Sequence, residues 1–141
     1  MTVSDNPPPG ANKASPNPTT PAGRHVLLVE DYQANVLVAG IYLKLFGFSY
    51  DVANNGIEAV EKAKSGGYAL ILMDVEMPGL DGYEATRAIR AHEEETGRKR
   101  TRIIGMTAHA LKGDRDKCIE NGMDDYLAKP ISQQELQAKL A

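Results

Sequence analysis

From residue 25 onward, short apolar runs alternate with stretches of helical repeat, and that alternation restricts the possible folds more than any other feature. His25-Val26-Leu27-Leu28-Val29 reads as a strand ending in Glu30-Asp31, and a helical pattern follows from about Gln33 to Phe46, stopped by Gly47. Ser49 to Ala53 is a second strand. Asn55 caps a helix running through Lys64, Gly66-Gly67 ends it, and Tyr68 to Met73 is a third strand. Asp81 and Glu84 make a capping box for a helix from Gly82 to about His92, and the charged stretch HEEETGRKR reads as a solvated loop. Thr101 to Met106 is a fourth strand, a helix from about Leu111 to Glu120 stops at Asn121-Gly122, and Asp125 to Ala128 is a short fifth strand. Ser132 with Glu135 caps a last helix. Strands and helices alternating through short links imply right-handed crossovers and a parallel sheet covered on both faces. The expected fold is doubly wound α/β.

Composition narrows the function. A chain of 141 residues has room for one domain with a real core, and a formal net charge of -3 gives no general reason to expect nucleic-acid binding. The single cysteine, Cys118, excludes an intrachain disulfide and a Cys-based metal site, and reads as small apolar filler on a helix. His25, His92 and His109 lack the paired spacing of a zinc site and read as surface or loop residues. No apolar run approaches the roughly 20 residues of a membrane span, and no signal-peptide pattern opens the chain, so a cytoplasmic protein without membrane insertion is expected. Residues 1–24 hold Pro7, Pro8, Pro9, Pro16, Pro18 and Pro21 among small polar residues, the composition of a disordered tail or linker ahead of a domain over 25–141.

The carboxyl ends of the strands collect a specific set of side chains. Glu30 and Asp31 follow the first, Asp74 the third, Thr107 the fourth and Lys129 the fifth. In open α/β sheets that edge is where ligands gather. Each residue alone has an ordinary reading: Asp31 as a helix N-cap, Thr107 as a turn residue, Lys129 as a surface charge. Together they suggest chemistry, because crowded carboxylates resist ionising side by side unless a cation joins them, and oxygen ligands without Cys or His select Mg²⁺ or Mn²⁺. A carboxylate nucleophile can form an aspartyl phosphate, with the metal and Lys129 neutralising the phosphoryl oxygens and Thr107 donating a hydrogen bond to one of them.

The segments VEDYQAN, ILMDVEMPGLDG, GMTA and YLAKP resemble the response-regulator receiver domain of two-component signalling over about residues 25 to 140. The resemblance implies a flavodoxin-like strand order 2-1-3-4-5. It also implies Asp74 as phosphoacceptor, a magnesium site from Glu30, Asp31, Asp74 and the backbone carbonyl of Glu76, phosphate contacts from Thr107, Ala108 and Lys129, and Tyr126 as switch aromatic. Lys129-Pro130 resembles the family's cis bond. Glu30 stands where Asp is commoner in the family, and Glu76 puts a second negative group beside the acceptor. Asn35 and YLAKPI resemble the receivers of hybrid histidine kinases and phosphorelays, which implies a histidine kinase or histidine phosphotransfer domain as partner and a signalling role that is not that of an enzyme.

The first helix carries more apolar residues than one core-facing stripe uses. With Ala39, Leu43 and Phe46 toward the sheet, Ala34, Leu37 and Ile41 lie on the outer side beside the acid pocket, as a docking stripe for the phosphohistidine donor, as scattered surface apolars, or as side chains shielded by the N-terminal tail. Two other functions compete. A phosphohydrolase of the haloacid-dehalogenase type also uses a strand-end Asp, but on the first strand in a DxD motif. A flavin-binding domain needs a phosphate loop where this chain has Glu30-Asp31.

Overall fold

The computed structural model describes residues 23–108 and 112–140. The expected tail therefore lies, as far as residue 22, outside the described residues, as do His109 and Leu111. The elements run β1 His25–Val29, α1 Gln33–Leu45, β2 Ser49–Ala53, α2 Gly56–Ser65, β3 Leu70–Asp74, α3 Gly82–Thr96, β4 Arg102–Thr107, α4 Lys112–Glu120, β5 Asp125–Ala128 and α5 Gln133–Leu140. The strands form one parallel sheet in the order β2-β1-β3-β4-β5, the flavodoxin-like order expected.

Strand alternation sorts the core into two layers. Leu27, Val29, Ile71, Met73 and Ile103 pack with Ala59 of α2, Ala85 and Ile89 of α3 and Cys118 of α4. Val26, Leu28, Leu72, Ile104 and Met106 pack on the other face with Ala39 and Leu43 of α1 and Leu136 of α5. Cys118 is buried on α4, as expected of a small apolar filler. No helix among the described residues is long and apolar enough to cross a membrane.

Several boundaries differ from expectation. β3 begins at Leu70, where pairing with Val26 and Arg102 starts, instead of Tyr68, whose hydroxyl donates to Asp51 Oδ2 at 2.7 Å ahead of the strand. α3 continues to Thr96 and takes in the first half of the charged stretch. Glu93 explains this: it is buried, accepts from Arg90 Nη1 at 2.8 Å and from the Thr101 amide at 2.8 Å, and so ties the helix to the entry of β4. Gly97, at φ 71°, then supplies the left-handed cap. The N-cap of α1 is Tyr32 without a side-chain bond, so Asp31 is not spent on capping. The Asp81–Glu84 capping box is complete, and Ser132 Oγ accepts from the Glu135 amide at 3.0 Å.

His25 is not a surface residue. It is buried in β1, bonded through Nδ1 to Ser49 Oγ at 2.6 Å and through Nε2 to Asp51 Oδ2 at 3.1 Å, and stacked on Tyr68. His92 is half-buried on α3.

Candidate acidic site at the carboxyl edge of the sheet

Asp74 is the last residue of β3 and pairs in register with Met106, so ladder bonds fix its backbone while its side chain sits at the strand's open end. α3 starts against it. A Cβ on Gly82 would lie 2.2 Å from the Asp74 carbonyl oxygen, so only glycine lets the helix begin this close. The sequence presents Gly82 as an ordinary helix start; its position right after an Asp N-cap was the available signal.

Asp74, Glu30 and Thr107 are buried, whereas Asp31 is exposed. One oxygen from each of Glu30, Asp31 and Asp74 falls within a 4.8 Å cluster. Lys129 Nζ reaches Asp74 Oδ1 at 3.0 Å and Glu30 Oε1 at 3.2 Å, bridging the two buried acids. Asp74 Oδ1 also accepts from the Glu76 amide at 3.0 Å, and Glu30 Oε2 from the Tyr32 amide at 3.2 Å. Asp74 Oδ2 is buried and has no hydrogen-bond partner among the described residues. One acceptor oxygen is thus held in place and the other is uncommitted.

Lys129 is anchored by its own amide, which donates to the Thr107 carbonyl at 2.8 Å; the Lys129-Pro130 bond that follows is cis, as expected. Burial pushes the Asp74 carboxyl up to about 6, and the Glu30 charge adds to this, against the opposing pull of Lys129 and the Glu76 amide. Burial works against the charge on Lys129, but Asp74 and Glu30 outweigh it and hold the ammonium above its ordinary range. Three carboxylates against one ammonium leave the cluster short of positive charge. That deficit, the all-oxygen donor set and the uncommitted Asp74 Oδ2 fit a hard divalent cation.

The expected phosphate and switch residues lie on β4, just after it, and on β5. Thr107 ends β4 and borders an open cleft of about 490 Å³ with Glu76, Met77, Asp81, Asp114 and Lys117. Ala108, which follows it, is exposed. Tyr126, on β5, is half-buried against the core. Asp114 and Lys117 line the cleft from α4, a neighbourhood that no spacing rule on one helix reveals. On α1, Ala39 and Leu43 are buried and Phe46 packs on the core, while Leu37 is 65% and Ile41 55% exposed and Ala34 is exposed beside them.

Residues 26–141 match the response regulator receiver domain. The chain belongs to the response regulator receiver domain family. The receiver is similar to Histidine kinase 5 of Arabidopsis thaliana, 40% identical over 134 residues, with 79% of the chain and 14% of the relative covered. It is similar to Hybrid signal transduction histidine kinase B of Dictyostelium discoideum, 46% identical over 114 residues, with 75% and 6% covered. The receiver thus spans only a small part of these curated relatives. Among solved structures it resembles the receiver domain of sensor histidine kinase PA1611 from Pseudomonas aeruginosa, which holds a magnesium ion in its active-site cleft; the TM-score is 0.74 at 47% identity, covering 84% of the receiver and 95% of that chain. It also resembles a chain in the co-crystal of the Saccharomyces cerevisiae phosphotransfer protein Ypd1 with the Ssk1 receiver domain, with TM-score 0.79, 36% identity and coverage of 82% and 85%. These matches lend nothing to the phosphohydrolase alternative, and Asp74 ends the third strand of the receiver instead of the first.

Proposed function

We propose that this receiver accepts a phosphoryl group on Asp74 from a phosphohistidine, in a magnesium-dependent reaction, and changes its partner binding in response. The observation that carries the reading is the buried Asp74 with Oδ1 pinned by Lys129 and the Glu76 amide and Oδ2 uncommitted, beside Glu30 and Asp31. In the transfer, an Asp74 oxygen attacks phosphorus, the phosphorus–nitrogen bond breaks, and its electron pair returns to the donor imidazole. Lys129 stabilises charge on the transferring oxygens, and Thr107 and the backbone at Ala108 bind the product phosphoryl group. Glu30, Asp31, Asp74 and the Glu76 carbonyl would hold Mg²⁺, with Mn²⁺ suited to the same oxygens; the ion supplies charge neutralisation on the phosphoryl group when bound.

The receiver assists its own phosphorylation and dephosphorylation and turns over no separate substrate. Its donor is a histidine kinase or histidine phosphotransfer domain, in a cytoplasmic setting, docked on Ala34, Leu37 and Ile41 beside the pocket. Support comes from the exposure of that stripe and from relatives that are histidine kinases. Thr107 drawn toward the phosphoryl group leaves room for Tyr126 to move inward, which changes the face formed by α4 and β5. Incubation with a phosphohistidine protein tests the reading. Label should move to the parent chain with Mg²⁺, and neither to Asp74→Asn nor to the parent in a chelator; full transfer to Asp74→Asn would overturn it.

A further inference from the structure

The opposite edge of the sheet carries a second cleft, of about 600 Å³, that the acidic site does not use. It opens at the amino ends of β3 and β4, between the carboxyl ends of α2 and α3, one strand length or roughly 15 Å from Asp74. Lys64, Arg98, Lys99, Arg100 and Arg102 line it, in a chain whose formal net charge is -3. Glu93 is the one acid among its described lining residues.

Most internal neutralisation goes elsewhere. Glu93 is matched by Arg90 at 2.8 Å and Arg100 by Asp124 at 2.9 Å, so these four charges cancel as a group. Arg102 donates to the Lys139 carbonyl, a neutral acceptor. Lys64, Arg98 and Lys99 have no ion-pair partner among the described residues. The two helix carboxyl ends bring roughly half a negative charge each, which still leaves about three positive charges uncompensated. Beside them, Ala63 and Ile89 supply an apolar wall, and His92 has a buried Nε2 without a hydrogen-bond partner among the described residues.

We propose that this cleft binds a small molecule of nucleotide size carrying two or more phosphates, with the phosphates on Lys64, Arg98 and Lys99 and the organic part against Ala63 and Ile89. The volume falls within the roughly 300–1,000 Å³ of small-ligand sites. The Arg98 fork suits phosphate oxygens, and a concave site suits a compact polyanion better than an extended acidic chain, the positive side chains outweighing the two helix carboxyl ends.

An NMR titration of the full chain in metal-free buffer tests this, with ATP, adenosine and polyglutamate as probes. ATP should shift the amides of Gly66, Gly67 and Arg98 and adenosine should not. Arg98→Glu and Lys99→Glu, both at exposed positions, should each weaken ATP on the order of tenfold. Asp74→Asn should bind ATP as the parent does. Absence of shifts at millimolar ATP, shifts centred on Asp74, or unchanged affinity in both reversal variants would overturn the proposal. So would polyglutamate acting on the same amides below the concentration needed for ATP, which would make the cleft a docking surface for acidic polypeptide.

Discussion

At the scale of single residues, Asp74 is held in a place that disfavours its charge. Burial, then the neighbouring Glu30 charge, raise its pKa from 3.8 to about 6 although Lys129 and the Glu76 amide oppose them. A carboxyl whose folded pKa exceeds its unfolded value destabilises the fold once ionised, and the penalty is present above the folded pKa and relieved as pH falls toward the unfolded one. Asp74→Asn should therefore raise metal-free stability near neutral pH by roughly 1–3 kcal/mol, since a tenfold change in proton affinity is worth about 1.4 kcal/mol. Urea unfolding measures this, and a less stable variant would contradict it. Lys129 makes the complementary point, since its ammonium bridges the two acids that a metal would share. Lys129→Ala removes that internal competitor and should tighten Mg²⁺ roughly tenfold in a calorimetric titration while slowing phosphorylation; weaker Mg²⁺ binding would show that Lys129 organises the acids instead of competing for them.

Among the elements, α1 carries the most direct prediction. Leu37→Asp and Ile41→Asp alter largely exposed side chains, in contrast to the buried Ala39 and Leu43 of the same helix. Both should slow transfer from a phosphohistidine protein about tenfold or more, an interface loss of at least about 1.4 kcal/mol, and leave phosphorylation by a small-molecule donor nearly intact. Equal loss with both donors indicates damaged folding, and no loss with either removes the docking role. The exposure of Leu37 and Ile41 was legible because a helix with too many apolar residues must expose some, and 3.6-residue spacing set them apart from Ala39 and Leu43; Val38 and Leu45, also exposed, were not singled out. The end of α3 was not legible. HEEETGRKR is solvated by composition, yet Glu93 is withdrawn by a partner eight residues on at Thr101, and single-segment patterns are blind to such a tertiary bond. His25 escaped for the same reason, its partners Ser49 and Asp51 lying on a neighbouring strand.

For the molecule as a whole, the alternation of short runs was enough for a parallel doubly wound sheet, the strand order followed from the family resemblance, and strand ends were enough to bring Glu30, Asp31, Asp74, Thr107 and Lys129 to one edge. Distances within that edge, the close approach at Gly82 and the basic cleft at the far edge depend on how elements pack and left no mark in spacing. The same packing sets the acid limit of stability. Burial works against ionised Asp124 and Asp125, but the Ile103 amide and Arg100 for the first, and Lys139 for the second, hold both below the usual carboxylate range. Stability from these two is present above the ordinary carboxylate pKa and lost as pH falls through their depressed values. Metal-free chain should thus gain stability as pH drops from about 6 toward 4, from Asp74, and lose it at lower pH. Asp74→Asn should lack the gain and keep the loss; a parent profile that falls steadily from pH 7 would contradict this. Phosphorylation at the Asp74 carboxylate is tested by peptide mapping with mass spectrometry after incubation with Mg²⁺ and a small-molecule phosphodonor. The predicted result is one added phosphoryl group on the peptide containing Asp74, absent without Mg²⁺. Phosphoryl on another residue, or on Asp74 at equal yield without divalent metal, would contradict it.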